Sequence, residues 1–414
     1  MGSMAILGCA WGDEGKAKIV DVMAEKADAV VRFQGGSNAG HTICHGDKKY
    51  VFHTVPSGIL YPETVCVIGC GLVIDPFQLA TEIAGLEERG VVIGNRLRID
   101  PRATMILPLH RELDGKTEDT AGARKIGTTR QGIGPSYADR ASRIALQIGD
   151  LTSPERLGSR LEQLYAAHGV QPDADLLPRL LEVGRRIIPW LEQVPYYLDS
   201  LHRQGKTILF EGAQGSMLDL YLGTYPYVTS SSTTAGGICT GTGFAPHRVD
   251  RVIGVYKSYF TRVGEGPFPT EQDNPTGQFL RDRGHEYGST TGRPRRCGWF
   301  DAVAARFAAM MNGLDEVALT LLDVLSGMET IRVATSYRIC DVETAQFPAM
   351  TDDLAKATPV YLDFPGWEED ITGVKRFEQL PANARNYVEA IGDLLNVRVS
   401  IVSVGSDRNQ TIFR

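Results

Sequence analysis

Short apolar runs alternate along this chain with segments of helical periodicity, and that alternation restricts its fold more than any other feature. AILGC (5–9), AVVRF (29–33), VCVIG (65–69), TILFEG (207–212), RVIGVYKSY (251–259), EVALTLLD (316–323), IRVATSYR (331–338) and VRVSIVSVG (397–405) read as strands. KIVDVMAEKA (18–27) and PFQLATEIAGLEERG (76–90) follow strands with apolar residues at helical spacing. The pattern predicts an α/β fold with a large, mostly parallel central sheet and flanking helices. Residues 153–204 are rich in Leu, Glu and Arg at helical spacing and predict a helical insertion, at about 151–205, in an otherwise single domain spanning 1–414.

Composition removes several function classes. The 414 residues carry 43% apolar and 22% charged side chains, ordinary for a globular chain with ample core. A formal charge of −7 argues against a general nucleic-acid partner. No apolar run approaches the ~20 residues needed to cross a bilayer, and nothing reads as a signal peptide. The seven cysteines are scattered, and Cys66 and Cys70 lack a second pair or nearby histidines at zinc spacing. Free thiols in a reducing cytoplasm are the expectation.

Four Gly/Ser/Thr-rich loops lie near strand ends or between elements: QGGSNAGHT (34–42), GTTRQGIGPSYADRASR (127–143), TSSSTTAGG (229–237) and GSTTGRPRR (288–296). In a doubly wound sheet, loops leaving the carboxyl ends of strands gather around one ligand crevice. A fifth, WGDEGKAK (11–18), carries two acids beside its lysine. It is not a standard P-loop, because Ala10 stands where the first glycine belongs and Ala17 follows the lysine. Gly12 and Gly15 can still turn backbone N–H groups towards phosphate. Taken alone, its acids equally suit a solvated turn capping the next helix or a site where an acid holds a cation or removes a proton. His41, among glycines with no apolar face to bury it, favours chemistry. Arg293, Arg295 and Arg296 behind Thr290 and Thr291 suit a clamp for a dianionic small molecule.

WGDEGK, QGGSNAGHT, GTTRQGIGPSYADRASR, EGAQGSMLDLYLGTYPYVTS, TRVGEGPFPTE and GSTTGRPRRCGW, in this order over nearly the whole chain, resemble adenylosuccinate synthetases. Residues 150–210 are the least distinctive part. The resemblance implies an α/β, P-loop-NTPase-like fold and an enzyme that joins L-aspartate to IMP using GTP and Mg²⁺. The C6 oxygen of a purine leaves poorly until phosphorylated. A 6-phosphoryl-IMP intermediate therefore needs a base at N1, a donor at the phosphoryl bridge and a metal on the phosphates.

By residue-to-residue match, Asp13 takes the N1 proton and ligates Mg²⁺ with the Gly40 carbonyl. His41 acts as general acid, Lys16 neutralises phosphate charge, and Gln214 completes the catalytic set. IMP meets Asp13, Glu14, Gly15, Lys16, Asn38, Ala39, Gly40, His41, Thr129, Gln214, Thr229 and Arg293, with Arg143 reaching across a homodimer. Aspartate meets Ser289, Thr290, Thr291, Gly292, Arg293, Pro294 and Arg295. GTP meets Gly12 to Lys18 (Asp13, Glu14, Gly15, Lys16 and Ala17 between them), then Gly40, His41, Thr42 and Arg295. Its base falls to Leu321, Leu322, Asp323, Ser403, Val404 and Gly405.

Three positions depart from the usual family pattern. Leu321 replaces the lysine before the guanine-reading aspartate, Ser406 stands where proline is common, and Ala17 replaces a glycine. Asp323 alone can still accept from guanine, so GTP remains the expected donor at a cost of about 0.5–1.5 kcal/mol for one lost polar contact. Ala17 tolerates positive φ poorly, so the loop must hold it in a helical conformation. A paralogue with another nucleotide or purine-like acceptor stays open, as does a non-catalytic nucleotide-binding regulator.

Overall fold

The computed structural model describes every residue except 1, 46–47, 123–124, 288–291 and 293, and of 41–42, 44–45 and 48–49 the backbone alone. Its centre is a sheet with nine strands among the described residues. In chain order they are β1 Ser3–Gly8, β2 Ala29–Arg32, β3 Val65–Ile68, β4 Leu97–Ile99 and β5 Ile208–Glu211. β6 Arg251–Lys257, β7 Glu316–Thr320, β8 Val399–Ser403 and β9 Thr411–Phe413 complete it. In space they lie β9-β8-β7-β6-β1-β5-β2-β3-β4, and every neighbouring pair is parallel except β8–β9.

These strands are apolar on both faces because helices cover both. On one face Ile6 of β1 packs with Ile19, Val20 and Ala24 of the helix Lys16–Ala24. On the other, Ala5 and Leu7 join Ala304, Ala305 and Ala308 of the helix Ala302–Asn312 and Tyr387 and Ile391 of the helix Ala382–Leu395. The insertion between β4 and β5 is helical, with helices Pro154–Ala167, Leu176–Ile187 and Val194–Arg203. Leu157, Leu161, Leu180 and Ile187 pack in one cluster with Ile68, Leu97 and Ile99 from the sheet edge.

One predicted strand lies outside the central sheet. IRVATSYR falls in Thr330–Ile339, which pairs antiparallel with Thr358–Pro365 and Val342–Thr344. Its exposure alternates along much of its length, as an antiparallel strand with one wet face requires, whereas the central strands are buried almost throughout. Among the described residues no helix is long and apolar enough to cross a membrane.

β1 is the point where the order of winding reverses, with β5 and β2 on one side and β6 and β7 on the other. In open α/β sheets a crevice opens outside the carboxyl ends of the strands at such a point. The loops after β1, β5 and β7 all leave from that end.

Candidate active site

The loop after β1 turns through Gly12 (φ 87°) and Asp13 (φ 59°), and Gly15 (φ 82°) starts the helix Lys16–Ala24. Its two acids have opposite fates. Glu14 folds inward, where Oε1 accepts from the N–H groups of Ala10 (3.0 Å) and Gly12 (2.9 Å) and Oε2 meets Lys16 Nζ at 2.5 Å. Only 1% of Glu14 and 5% of Lys16 is exposed, so water screens this pair little. The Thr320 hydroxyl at the end of β7 donates to the Glu14 carbonyl (2.6 Å), tying the loop to the sheet. Ala17 lies inside the helix, the conformation that lets alanine replace the family glycine.

Asp13 faces outward, and its Oδ2 accepts from Arg295 Nε at 2.7 Å. Burial opposes its ionisation, but the charges of Arg295, Lys257 and Lys16 outweigh that and hold its carboxyl below the usual range. Arg295 also donates from Nη1 to the buried Glu286 (2.7 Å), whose other oxygen takes Lys257 Nζ (2.7 Å). Pro294 bridges Tyr287, and Gly292 has φ 65°. Ser289, Thr290, Thr291 and Arg293 lie outside the described residues.

After β5 comes Gln214 at φ 57°, and Gly215 packs so close that a Cβ there would meet Ala10 O and Glu14 Oε1, each at 2.3 Å. Gln214 Oε1 lies 3.0 Å from where a Cβ on Gly35 would stand, so the Gln214 and QGGSNAGHT loops touch. Gln34 locks this junction, donating to Ala213 O (2.6 Å) and accepting from the Ser231 hydroxyl (2.9 Å). The Tyr137 hydroxyl receives Gly35 N–H (3.1 Å) and donates to Gly71 O (2.6 Å), fixing the helix Ile133–Ser142 alongside. Thr229 N–H donates to Leu218 O (2.9 Å), placing the hydroxyl-rich turn over the same junction.

Among the described residues, three buried carbonyl or carboxylate oxygens here have no hydrogen-bond partner: Asn38 Oδ1, Gln214 Oε1 and Asp323 Oδ1. A desolvated acceptor left unpaired costs about 1–3 kcal/mol, and such atoms collect where a ligand supplies the missing donor. Asp13, Gln214 and Leu321 (φ 56°) all sit in the left-handed region that non-glycine residues seldom adopt, one on each of the loops after β1, β5 and β7. Backbone strain of this kind concentrates at functional sites.

On the β7–β8 side, burial raises the pKa of Asp323 above the usual carboxylate range. Lys18 Nζ donates to Ser403 Oγ (2.8 Å), Gly405 O (2.8 Å) and Gln410 O (3.0 Å), tying the first helix to the loop after β8. Burial pushes its pKa down to about 8, against the attraction of Asp323 and Asp407. Leu321 O accepts from the Ser258 hydroxyl (2.8 Å), while Leu322 and Val404 are fully buried core side chains that can offer a ligand only their backbone. Thr129 is exposed, Gly40 is partly buried, Ala39 is buried, and Arg143 ends its helix exposed at φ 65°. His41 and Thr42 open the strand His41–His45, and their side chains lie outside the described set.

Sequence reasoning missed Thr320, Lys257, Glu286, Gln34 and Tyr137. Gln34 and Tyr137 lie inside motifs already singled out and Glu286 stands just before another, whereas Thr320 and Lys257 had only their strands as a signal. A cavity of about 920 Å³ lies beside the crevice between Tyr50 and the helix Pro76–Glu88, and none of Asp13, Lys16, Gln214 or Asp323 lines it.

A family model described as adenylosuccinate synthetase matches residues 5–412. The chain belongs to the adenylosuccinate synthetase family. It is 48% identical over 423 aligned residues to the adenylosuccinate synthetase of Desulforamulus reducens, covering 100% of this chain and 98% of that one. Identity to the Carboxydothermus hydrogenoformans enzyme is also 48%, with 100% and 99% covered. The fully ligated adenylosuccinate synthetase of Plasmodium falciparum superposes with a TM-score of 0.95 at 37% identity, covering 100% of both chains. A cyanophage S-2L succinoaminodeoxyadenylate synthetase, bound to dGMP and dATP, shares the fold at 21% identity and a TM-score of 0.64, over 100% of this chain and 95% of that one. The α/β architecture with its mostly parallel sheet is therefore the family's. As a member, the chain is a GTP-dependent ligase of purine biosynthesis that joins aspartate to IMP.

Proposed function

We propose that ligation proceeds through 6-phosphoryl-IMP in the crevice at the carboxyl end of β1, with Asp13 as the base at N1 and His41 as the acid at the transferring phosphoryl group. The observation that carries this reading is the set of unpaired buried acceptors on three converging loops, Asn38 Oδ1, Gln214 Oε1 and Asp323 Oδ1. Asn38 and Gln214 suit IMP, together with Thr129, Thr229 and the backbone from Glu14 to Lys16. Asp323 suits the N1 and N2 donors of guanine. The contact with Arg295 keeps Asp13 ionised, as a base must be before it takes a proton.

Asp13 and the Gly40 carbonyl fit Mg²⁺, a hard cation that takes oxygen donors and is commonly held by one or two protein groups with substrate phosphates. Among the described residues no group of three or more His, Cys, Asp or Glu gathers, which agrees with so sparse a site. When bound, Mg²⁺ offsets phosphate charge. Lys16 is now neutralised by Glu14, so meeting the GTP phosphates requires it to exchange that partner. Arg293 and Arg295, with Ser289 to Pro294, receive the aspartate carboxylates. The exposed Arg143 reaches the IMP phosphate of a second copy in a homodimer. The whole chain acts as one domain in the cytoplasm.

Leu321 favours a second reading of the base site, in which preference for GTP is relaxed. The test is adenylosuccinate formation from IMP and aspartate with Mg²⁺ and, separately, GTP, ATP, ITP or UTP. The first reading expects GTP to be strongly preferred and Asp13→Asn to lose about 10²–10⁴-fold in rate, the usual weight of a general base. Comparable turnover with ATP or ITP establishes the second. An Asp13→Asn enzyme as fast as wild type refutes the role of Asp13.

A further inference from the structure

We propose that Glu286 and Lys257 are positioning residues for Arg295, setting how the arginine loop presents its guanidinium to the aspartate substrate. The inference rests on the reading that Arg295 meets aspartate, and adds to it two residues that touch no substrate.

Glu286 and Arg295 are the two feet of the loop between them. Arg295 N–H donates to Glu286 O (2.8 Å), Tyr287 bridges Pro294, and Arg281 Nε donates to Arg295 O (3.0 Å). The side chains repeat the link, Arg295 Nη1 donating to Glu286 Oε2 at 2.7 Å. Behind them Glu286 Oε1 receives Lys257 Nζ (2.7 Å) and the Tyr259 hydroxyl, and Lys257 also donates to Thr261 Oγ1 (2.8 Å). Glu286 is 1% exposed and Lys257 4%, so neither charge has water as an alternative partner.

Lys257, Glu286, Arg295 and Asp13 thus form a chain of alternating charge from the end of β6 to the β1 loop, balanced at two positive and two negative groups. Glu286 holds one edge of the guanidinium while the Nε edge faces Asp13. When Asp13 engages IMP, that second edge loses its carboxylate, and the aspartate substrate offers another. Lys257 keeps Glu286 charged, and Glu286 stops Arg295 from following Asp13. An arginine fixed on one edge presents the other in a defined plane, which bidentate recognition of a carboxylate needs.

The test is steady-state kinetics of the double variant Lys257→Met/Glu286→Gln, which removes both buried charges and leaves none unpaired between them. KM for aspartate rises about ten- to hundred-fold, the weight of one charged hydrogen bond. KM for IMP and the calorimetric affinity for IMP alone stay within about two-fold. Glu286→Asp keeps a charge for Lys257 and shortens the reach to Arg295; it moves KM for aspartate the same way and stands in if the double variant does not fold. An unchanged KM for aspartate overturns the proposal, as does a parallel rise in both KM values with a lowered melting temperature, the mark of a purely structural pair. Arg295→Lys in the same assay tests the reading of Arg295 separately, since an unchanged KM for aspartate there defeats that reading whatever the Lys257 and Glu286 variants do.

Discussion

Replacing Glu14 with Gln tests whether Lys16 passes its charge to the nucleotide. The substitution keeps the side chain's shape and the oxygen that accepts from Ala10 and Gly12, and removes the charge 2.5 Å from Lys16 Nζ. With Lys16 only 5% exposed, solvent cannot take the place of the lost partner. Removing one member of a buried ion pair costs about 3–5 kcal/mol. Unfolding entropy of about 2.1 cal/mol/K per residue gives about 0.9 kcal/mol/K for a chain of 414 residues. The ligand-free variant therefore melts about 3–6 °C below wild type. If Lys16 meets the GTP phosphates, the nucleotide supplies the missing negative charge and the gap falls below half in saturating GTP and Mg²⁺. Linkage then requires the variant to bind GTP more tightly, by about ten-fold for each 1.4 kcal/mol by which the gap narrows. Calorimetric melting with and without nucleotide, and a GTP titration, read both quantities. A gap that GTP leaves unchanged would refute the exchange of partners at Lys16.

Asp323→Asn exchanges a carboxylate that can accept from both guanine donors for an amide that cannot. The ratio of kcat/KM for GTP over ITP, which lacks the N2 amine, falls about ten-fold, the weight of one hydrogen bond to a charged group. An unchanged ratio removes Asp323 from base recognition. Lys18 gives a pH test: its folded pKa of about 8 lies below the ordinary value of 10.5. Between those values the unfolded chain binds more protons than the folded one, so the Lys18 contribution to stability increases as pH rises from about 8 towards 10.5. The difference in melting temperature between wild type and Lys18→Met should therefore grow in favour of wild type over that range. A constant difference would show that Lys18 keeps its proton in the folded protein.

Much of this protein is local in its sequence. The apolar runs dictate buried strands, because a run apolar on both faces stays in place only under helices on both sides. The first loop declares its glycines, its lysine and its acids, and the family motifs carry nearly every residue brought to the crevice. Periodicity could not tell which strand leaves the central sheet, since IRVATSYR reads as a strand wherever it pairs.

The chemical states of those residues were decided by contacts across the fold. Asp13 and Glu14 are adjacent and both acidic, yet Glu14 is a buried strut and Asp13 a carboxylate that opens into the crevice, partly desolvated there. Glu14 meets backbone N–H groups within its own loop, whereas Asp13 meets an arginine 282 positions away. Leu322 looks like its neighbours Leu321 and Asp323 in a motif, but the end of β7 turns it into the core. Lys257 has no motif at all and Glu286 only stands beside one, because a buried ion pair depends on two elements closing on each other and neither element alone records the pairing. Sequence determined which groups the crevice contains; tertiary structure decided which are spent on holding it together and which remain for a substrate.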